Sequence, residues 1–129
     1  MSKEYTNELL LDFGPDGKGL IPVITQDYNT KEVLILAYSN NEAFRESVNS
    51  GYATYFSRTR QQIWKKGMTS GDLLKIEEMR INCEQNSLLY MVTPVGKGSC
   101  HAIRENGLPH TTCFYRRITA GKKLEFIEK

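Results

Sequence analysis

Apolar residues along this chain come in short runs, and Val33-Leu34-Ile35-Leu36-Ala37 shows almost no polar alternation. A run of that kind predicts a strand covered on both faces, spanning residues 32–38. Residues 19–25 predict another strand, and the turn residues Asp27-Tyr28-Asn29-Thr30 between them make the two a hairpin. The pattern then changes period. Ser39-Asn40-Asn41-Glu42 has the form of a capping box, Ala43, Phe44, Ser47 and Val48 follow at helical spacing, and Gly51 is a natural stop. Further strands are predicted over residues 52–57, 73–81, 87–93, 112–118 and 124–127. The third-last of these is preceded by a long segment whose alternation breaks at Glu77-Glu78, which marks a bulge. The pattern as a whole predicts an α+β domain, mostly antiparallel β with one clear helix.

Two segments fall outside that scheme. Residues 58–71 are polar and basic with two glycines, and residues 96–111 hold both histidines. Loops of that length in a small domain tend to carry function. The 129 residues show no repeat, linker or low-complexity tract, so residues 1–129 read as a single domain. No apolar run approaches the roughly 18–20 residues of a membrane span. The start, Met1-Ser2-Lys3-Glu4-Tyr5, lacks the apolar core of a signal peptide. The expectation is a cytoplasmic protein with no membrane contact. Seventeen basic against fifteen acidic residues leave +2, too little to imply nucleic acid.

Three cysteines, Cys83, Cys100 and Cys113, cannot pair completely within one chain. Either they are buried thiols acting as small hydrophobes, or they bind metal. No Cys-x-x-Cys pair is present, which removes the usual structural zinc signatures, but three thiolates with an open fourth position suit a catalytic zinc. His101 follows Cys100 directly and is placed to move protons near neutral pH, unless it is a plain surface histidine. His110 is open between a fourth zinc ligand and no role. Arg58, Arg60, Lys65 and Lys66 are interleaved with Phe56 and Trp64. The bland reading is a solvated basic loop. The functional one is phosphate held by charged side chains with an aromatic against a base. Single-stranded nucleic acid would use the same ingredients, but the small net charge favours a mononucleotide.

Several segments together carry a resemblance. They are Gly19-Leu20-Ile21-Pro22, Gln26-Asp27, Glu32-Val33-Leu34-Ile35-Leu36-Ala37-Tyr38, Gly51-Tyr52-Ala53 and Tyr55-Phe56-Ser57-Arg58-Thr59-Arg60. Trp64-Lys65-Lys66-Gly67, Thr69-Ser70-Gly71, Cys100-His101 and Cys113-Phe114-Tyr115-Arg116 continue the series. In order and nearly without gaps, from residue 19 to 117, the chain resembles the phosphoribosyl-AMP cyclohydrolase family. The resemblance implies hydrolysis of the N1–C6 bond of the purine ring of phosphoribosyl-AMP, a step of histidine biosynthesis. It also implies a homodimer using zinc and magnesium, with zinc ligands Cys83, Cys100 and Cys113 drawn from both subunits. Carried over residue by residue, His101 would move protons and Arg58, Arg60 and Lys65 would hold phosphate. Trp64 would pack near the base, with Thr69 and Ser70 as further substrate contacts.

The departures gather in one neighbourhood. Where the family has Asp-Cys-Asp-x-Asp for magnesium, this chain has Asn82-Cys83-Glu84-Gln85-Asn86, so three carboxylates become one. Magnesium prefers charged oxygen ligands, and Asn82, Glu84 and Asn86 should hold it weakly. Asp72 follows Thr69-Ser70-Gly71 where the family has His or Asn; it could restore a carboxylate to the chemistry or simply be a solvated strand start. Residues 103–112 make a longer connection than the family has between its second and third cysteines. Three functions follow: the family reaction, a divergent paralogue acting on another nucleotide or heterocycle, or a non-catalytic relative that binds nucleotide or zinc. Retention of all three thiols speaks against the last.

Overall fold

A computed structural model describes residues 2–129. Four strands form the main sheet: β1 (Ile21–Asp27), β2 (Val33–Ser39), β5 (Leu74–Ile81) and β6 (Leu88–Pro94), in the order β2-β1-β6-β5. Helix α1 (Asn41–Ser50) packs on β2 and on a hairpin of β3 (Thr54–Ser57) and β4 (Gln62–Lys65). A last hairpin joins β7 (Arg116–Thr119) to β8 (Lys123–Phe126). The α+β expectation agrees with this, but one sheet pairing differs: β1 and β6 run parallel, with Val23 opposite Leu88. All other pairings are antiparallel.

One face of the sheet supplies the core by simple alternation. Ile21, Val23 and Thr25 of β1 point inward with Leu88, Tyr90 and Val92 of β6, against Tyr55 and Phe13. The Thr25 and Tyr55 hydroxyls meet at 2.6 Å, which satisfies both polar groups inside an apolar surround. Burial pushes the Tyr55 phenol well above its usual range, despite that hydrogen bond.

Three local expectations are corrected and one holds in part. Strand β2 is buried on both faces only at Leu34 and Ile35, which point to opposite sides, while Val33 stays exposed, as does Leu36 beside its register partner Ile24. The helix cap is Asn40, whose Oδ1 accepts the Ala43 N–H at 2.8 Å, while Ser39 is the last, buried residue of β2. Asn caps as well as Ser, and sheet register had already claimed Ser39. Segment 58–71 is not all loop, since it contains β4, with Trp64 opposite Tyr55. Residues 112–115 form no strand. Instead the Thr112 hydroxyl donates to the Val33 carbonyl at 2.7 Å and the Cys113 N–H to the Leu34 carbonyl at 2.8 Å, tying this stretch to the start of β2. The bulge falls where the pattern broke, between Ile76 and Glu78.

Candidate metal and substrate site

Strand β4 delivers Trp64 and Lys65 to a cleft of about 290 Å3, and the turn after it adds Lys66, Thr69, Ser70 and Asp72. The opposite wall is Cys100 and His101, with Ile103 and Pro109 at the rim. The turn is shaped by backbone approach: Gly67 has φ 84°, and a Cβ there would strike the main chain of Asp72. Asp72 in turn accepts the Lys97 N–H on Oδ1 at 3.2 Å, and a side chain at Gly96 would collide with that oxygen. One oxygen of the Asp72 carboxylate thus joins the two walls. The Ser70 hydroxyl accepts the Asp72 N–H at 3.2 Å, so its role in the free protein is to shape the turn.

A second hollow of about 400 Å3 adjoins the first through Trp64 and His101, which line both, and is completed by Ser57, Thr59 and Arg60. Of the basic residues read from the sequence, Arg60, Lys65 and Lys66 line these hollows. Arg58 does not; its guanidinium lies 4.0 Å over the Tyr38 ring. Lys65 also reaches Glu46 of α1 at 3.6 Å.

Lys66, grouped in the sequence with Arg58, Arg60 and Lys65 as a solvated or phosphate-binding charge, is placed inside rather than at the surface. It is 6% exposed, and among the described residues no carboxylate lies within ion-pairing distance of it. Its charge bears instead on Cys113. Desolvation and the adjacent Cys100 push the Cys113 thiol up to about 12, while the Lys66 ammonium pulls the other way. The signal available was the Lys65-Lys66 doublet at the end of a short strand, where one of two neighbours must face inward.

Cys100 is buried and Cys113 is its neighbour, but Cys83 is elsewhere. Cys83 sits in the turn that leads into β6, whereas Cys100 follows the far end of that strand. Seven extended residues separate the two ends by roughly 20 Å. Accordingly, among the described residues no three His, Cys, Asp or Glu side chains gather as a metal site. His110 does not complete one either: its ring lies on Tyr115 and its Nδ1 meets Glu128.

The donor chemistry separates the two metals. Two adjacent thiols, with the Cys100 Sγ accepting the Ala102 N–H at 3.4 Å and a buried ammonium nearby, suit zinc. The 82–86 turn does not suit magnesium. Asn82 Oδ1 accepts the N–H groups of Asn86 and Ser87 at 2.8 and 2.9 Å, and Asn82 Nδ2 donates to Asn86 Oδ1 at 2.5 Å. Gln85 is turned toward the N-terminal segment, where it accepts the Leu10 N–H at 2.6 Å and donates to the Lys3 and Glu8 carbonyls. Only Glu84 is left as a free carboxylate, and one carboxylate is too little for a cation that gives up water reluctantly.

Comparison with known proteins adds the following. The sequence model of the family described as phosphoribosyl-AMP cyclohydrolase matches residues 35–115. A phosphoribosyl-AMP cyclohydrolase of Archaeoglobus fulgidus is 48% identical over 103 residues, covering 80% of this chain and 89% of that protein. One of Desulforapulum autotrophicum is 47% identical over 111 residues, covering 86% and 83%. The histidine biosynthesis bifunctional protein HisIE of Aquifex aeolicus is 46% identical over 105 residues; these make up 81% of this chain but only 48% of that longer protein.

Proposed function

The chain belongs to the phosphoribosyl-AMP cyclohydrolase family, and from that premise we propose that it is a zinc-dependent cyclohydrolase that opens the purine ring of phosphoribosyl-AMP at N1–C6. The observation that carries this reading is the cleft in which Trp64, Lys65, Thr69, Ser70, Asp72, Cys100 and His101 converge. Lys65 and Arg60 present charge to phosphate oxygens from adjoining hollows, and the partly exposed face of Trp64 takes the base. His101 borders both hollows and is exposed, so its imidazole can reach the reacting ring and exchange the proton with solvent. Asp72 ties the turn after β4 to the segment that leads into Cys100, through the Lys97 N–H. Zinc bound by thiolates supplies a Lewis acid that brings the pKa of bound water to about 7.

Because Cys83 stands at the other end of the sheet, the third thiolate comes from a second copy of the chain. A homodimer is also supported by Ile24 and Leu36, an apolar pair left open on the outer face of the sheet. No step is assigned to magnesium. The amide-stitched 82–86 turn favours a second reading, the divergent paralogue with a different nucleotide or heterocycle as substrate.

The deciding experiment follows ring opening of phosphoribosyl-AMP optically with zinc-loaded protein, with and without magnesium. Turnover that magnesium changes little supports the family reaction without the second metal. Zinc-loaded, dimeric protein that leaves phosphoribosyl-AMP intact supports the paralogue. Within the first outcome, Arg60→Ala and Lys65→Ala should each raise KM about 10-fold, the worth of one charge-assisted phosphate contact.

A further inference from the structure

One cluster, built around the buried His110 at the edge of the molecule, takes no part in the chemistry above. Glu128 Oε1 lies 2.9 Å from Nδ1 of His110 and accepts the Thr111 N–H at 2.8 Å, and its Oε2 accepts the Thr111 hydroxyl at 2.7 Å. Arg104 stands 3.9 Å from the same carboxylate and donates to the Lys129 carbonyl at 3.2 Å. His110 is 3% exposed and stacks flat on Tyr115, with ring centroids 3.6 Å apart and planes 10° from parallel. The main chain of His110 faces the metal thiols. Its carbonyl accepts the N–H groups of Ser99 at 2.9 Å and Cys100 at 3.1 Å, and its own N–H donates to the Ala102 carbonyl at 3.0 Å. Gly98 is packed so closely here that a Cβ would come within 2.5 Å of the His110 carbonyl oxygen. The side chain of His110 is therefore held by the segment after β8, while its backbone holds Cys100.

We propose that His110 and Glu128 are positioning residues that fix where the Cys100 thiol stands relative to Cys113, closing the long loop between the two. The need is physical. Residues 103–112 carry only an isolated bridge, between Ile103 and Pro109, so regular structure does not hold the loop ends together. An unpinned loop of this length keeps much of its conformational entropy, and two thiols on such a loop meet only part of the time. Outer partners of metal ligands commonly change metal affinity 10- to 100-fold, and here the outer partner acts through the backbone rather than through a ligand ring. The inference rests on the zinc reading for its metal readout and on the hydrogen bonds alone for its other.

The test uses the full chain as Glu128→Ala, Glu128→Gln and Arg117→Ala. Gln keeps acceptors for His110 and Thr111. Arg117 pairs with Glu125 in the same terminal hairpin, so its loss loosens the hairpin without touching the cluster. In metal-free protein, residue-resolved amide exchange at Ser99 and Cys100 should quicken about 10-fold in Glu128→Ala and stay near wild type in the other two. In zinc-loaded protein, transfer of zinc to a chromophoric chelator should follow the same order, again about 10-fold. Unchanged exchange in Glu128→Ala, equal acceleration in Arg117→Ala, or faster exchange with unchanged zinc release would each overturn the proposal. Wild-type protein that binds no zinc, with the exchange pattern as expected, removes the zinc reading and leaves the positioning role standing. If Glu128→Ala does not fold, Glu128→Asp shortens the arm by one methylene and should shift both rates in the same direction.

Discussion

The two loops that carry cysteine are organised by opposite means. The loop from Cys100 to Cys113 is pinned to distant parts of the chain, by Thr112 and Cys113 on β2 and by Glu128 on His110. Its thiols are crowded together, which penalises free thiolates and rewards a cation between them, and the buried Lys66 ammonium offsets part of that penalty. The turn that carries Cys83 is stitched to itself by neutral amides, and its thiol is exposed. On the proposed reading, the first loop would supply two of the zinc ligands. The second carries Cys83 beside the single carboxylate of Glu84, and is anchored through Gln85 to the N-terminal segment. The proposed reaction would bring these two unlike ends together from two copies of the chain.

The sharpest way to break that comparison is subunit mixing. Cys83→Ser and Cys100→Ser should each lose most bound zinc and at least about 100-fold in activity. Mixed at equal concentration and allowed to exchange subunits, the two inactive variants should recover about a quarter of wild-type activity. Half of the dimers are then mixed, and each has one intact site. Mixtures as dead as their components would show that the thiols are not shared across an interface.

A smaller effect separates the electrostatics of the two loops. Lys66→Met should weaken zinc binding roughly 10-fold, because a buried positive charge beside the thiol pair is lost while the thiolates keep theirs. Competition with a chelator of known affinity measures this directly. Equal affinity in both proteins would mean that Lys66 serves packing alone.

The Cys83 turn is tested by Asn82→Asp with Asn86→Asp. The double change removes the amide donor and sets two carboxylates in its place. Without divalent cations it should cost about 1 kcal/mol, seen as a Tm lower by about 3–5 °C. Added magnesium should restore the loss by binding only the folded form, whereas the unmodified protein should show no such response. A magnesium-dependent Tm in the unmodified protein would contradict the self-stitched turn.

The smallest effect concerns acid. Desolvation works against ionisation of Glu128, but hydrogen bonds from Thr111 and His110 and the Arg104 charge hold its carboxyl below 4.5. A carboxyl depressed in the folded state contributes stability above its unfolded pKa and loses it as pH falls through the folded value. Protection from exchange at Ser99 and Cys100, corrected for the intrinsic pH dependence of amide exchange, should therefore be constant down to about pH 5 and fall only slightly below it. A protonated carboxyl keeps hydrogen bonds much as Glu128→Gln does, and in Glu128→Gln protection should not change with pH.

Much of this molecule is legible before any coordinates. The helix and its Gly51 stop, the bulge at Glu77, and the strands through Val23, Leu34 and Tyr90 follow from local periodicity and turn chemistry, which act over a few residues. The site was legible as residue types in a recurring order. Thr69, Ser70, Asp72, Cys100 and His101 do line one cleft, and Trp64 and Lys65 join them. Strand β4 was hidden because Gln62-Ile63-Trp64-Lys65 is short, with a polar residue at each end, and gains its partner only by folding back on β3. The parallel pairing of β1 with β6 was equally out of reach, since a crossover connection leaves no mark on either strand.

What the sequence alone determined are the elements and the chemical inventory: three thiols, two imidazoles, a basic stretch and an 82–86 segment with a single carboxylate. Tertiary structure decided how they associate. It turned Lys66 inward to the thiols, set Arg58 on Tyr38 rather than in the cleft, and bound His110 to Glu128 across 18 positions of sequence. It also put Cys83 at the opposite end of the sheet from Cys100. The reason is the same each time. Local signals specify dihedrals and which face is apolar, but long-range pairing is set by the total burial and hydrogen-bond satisfaction of the folded chain, a sum that no short window contains.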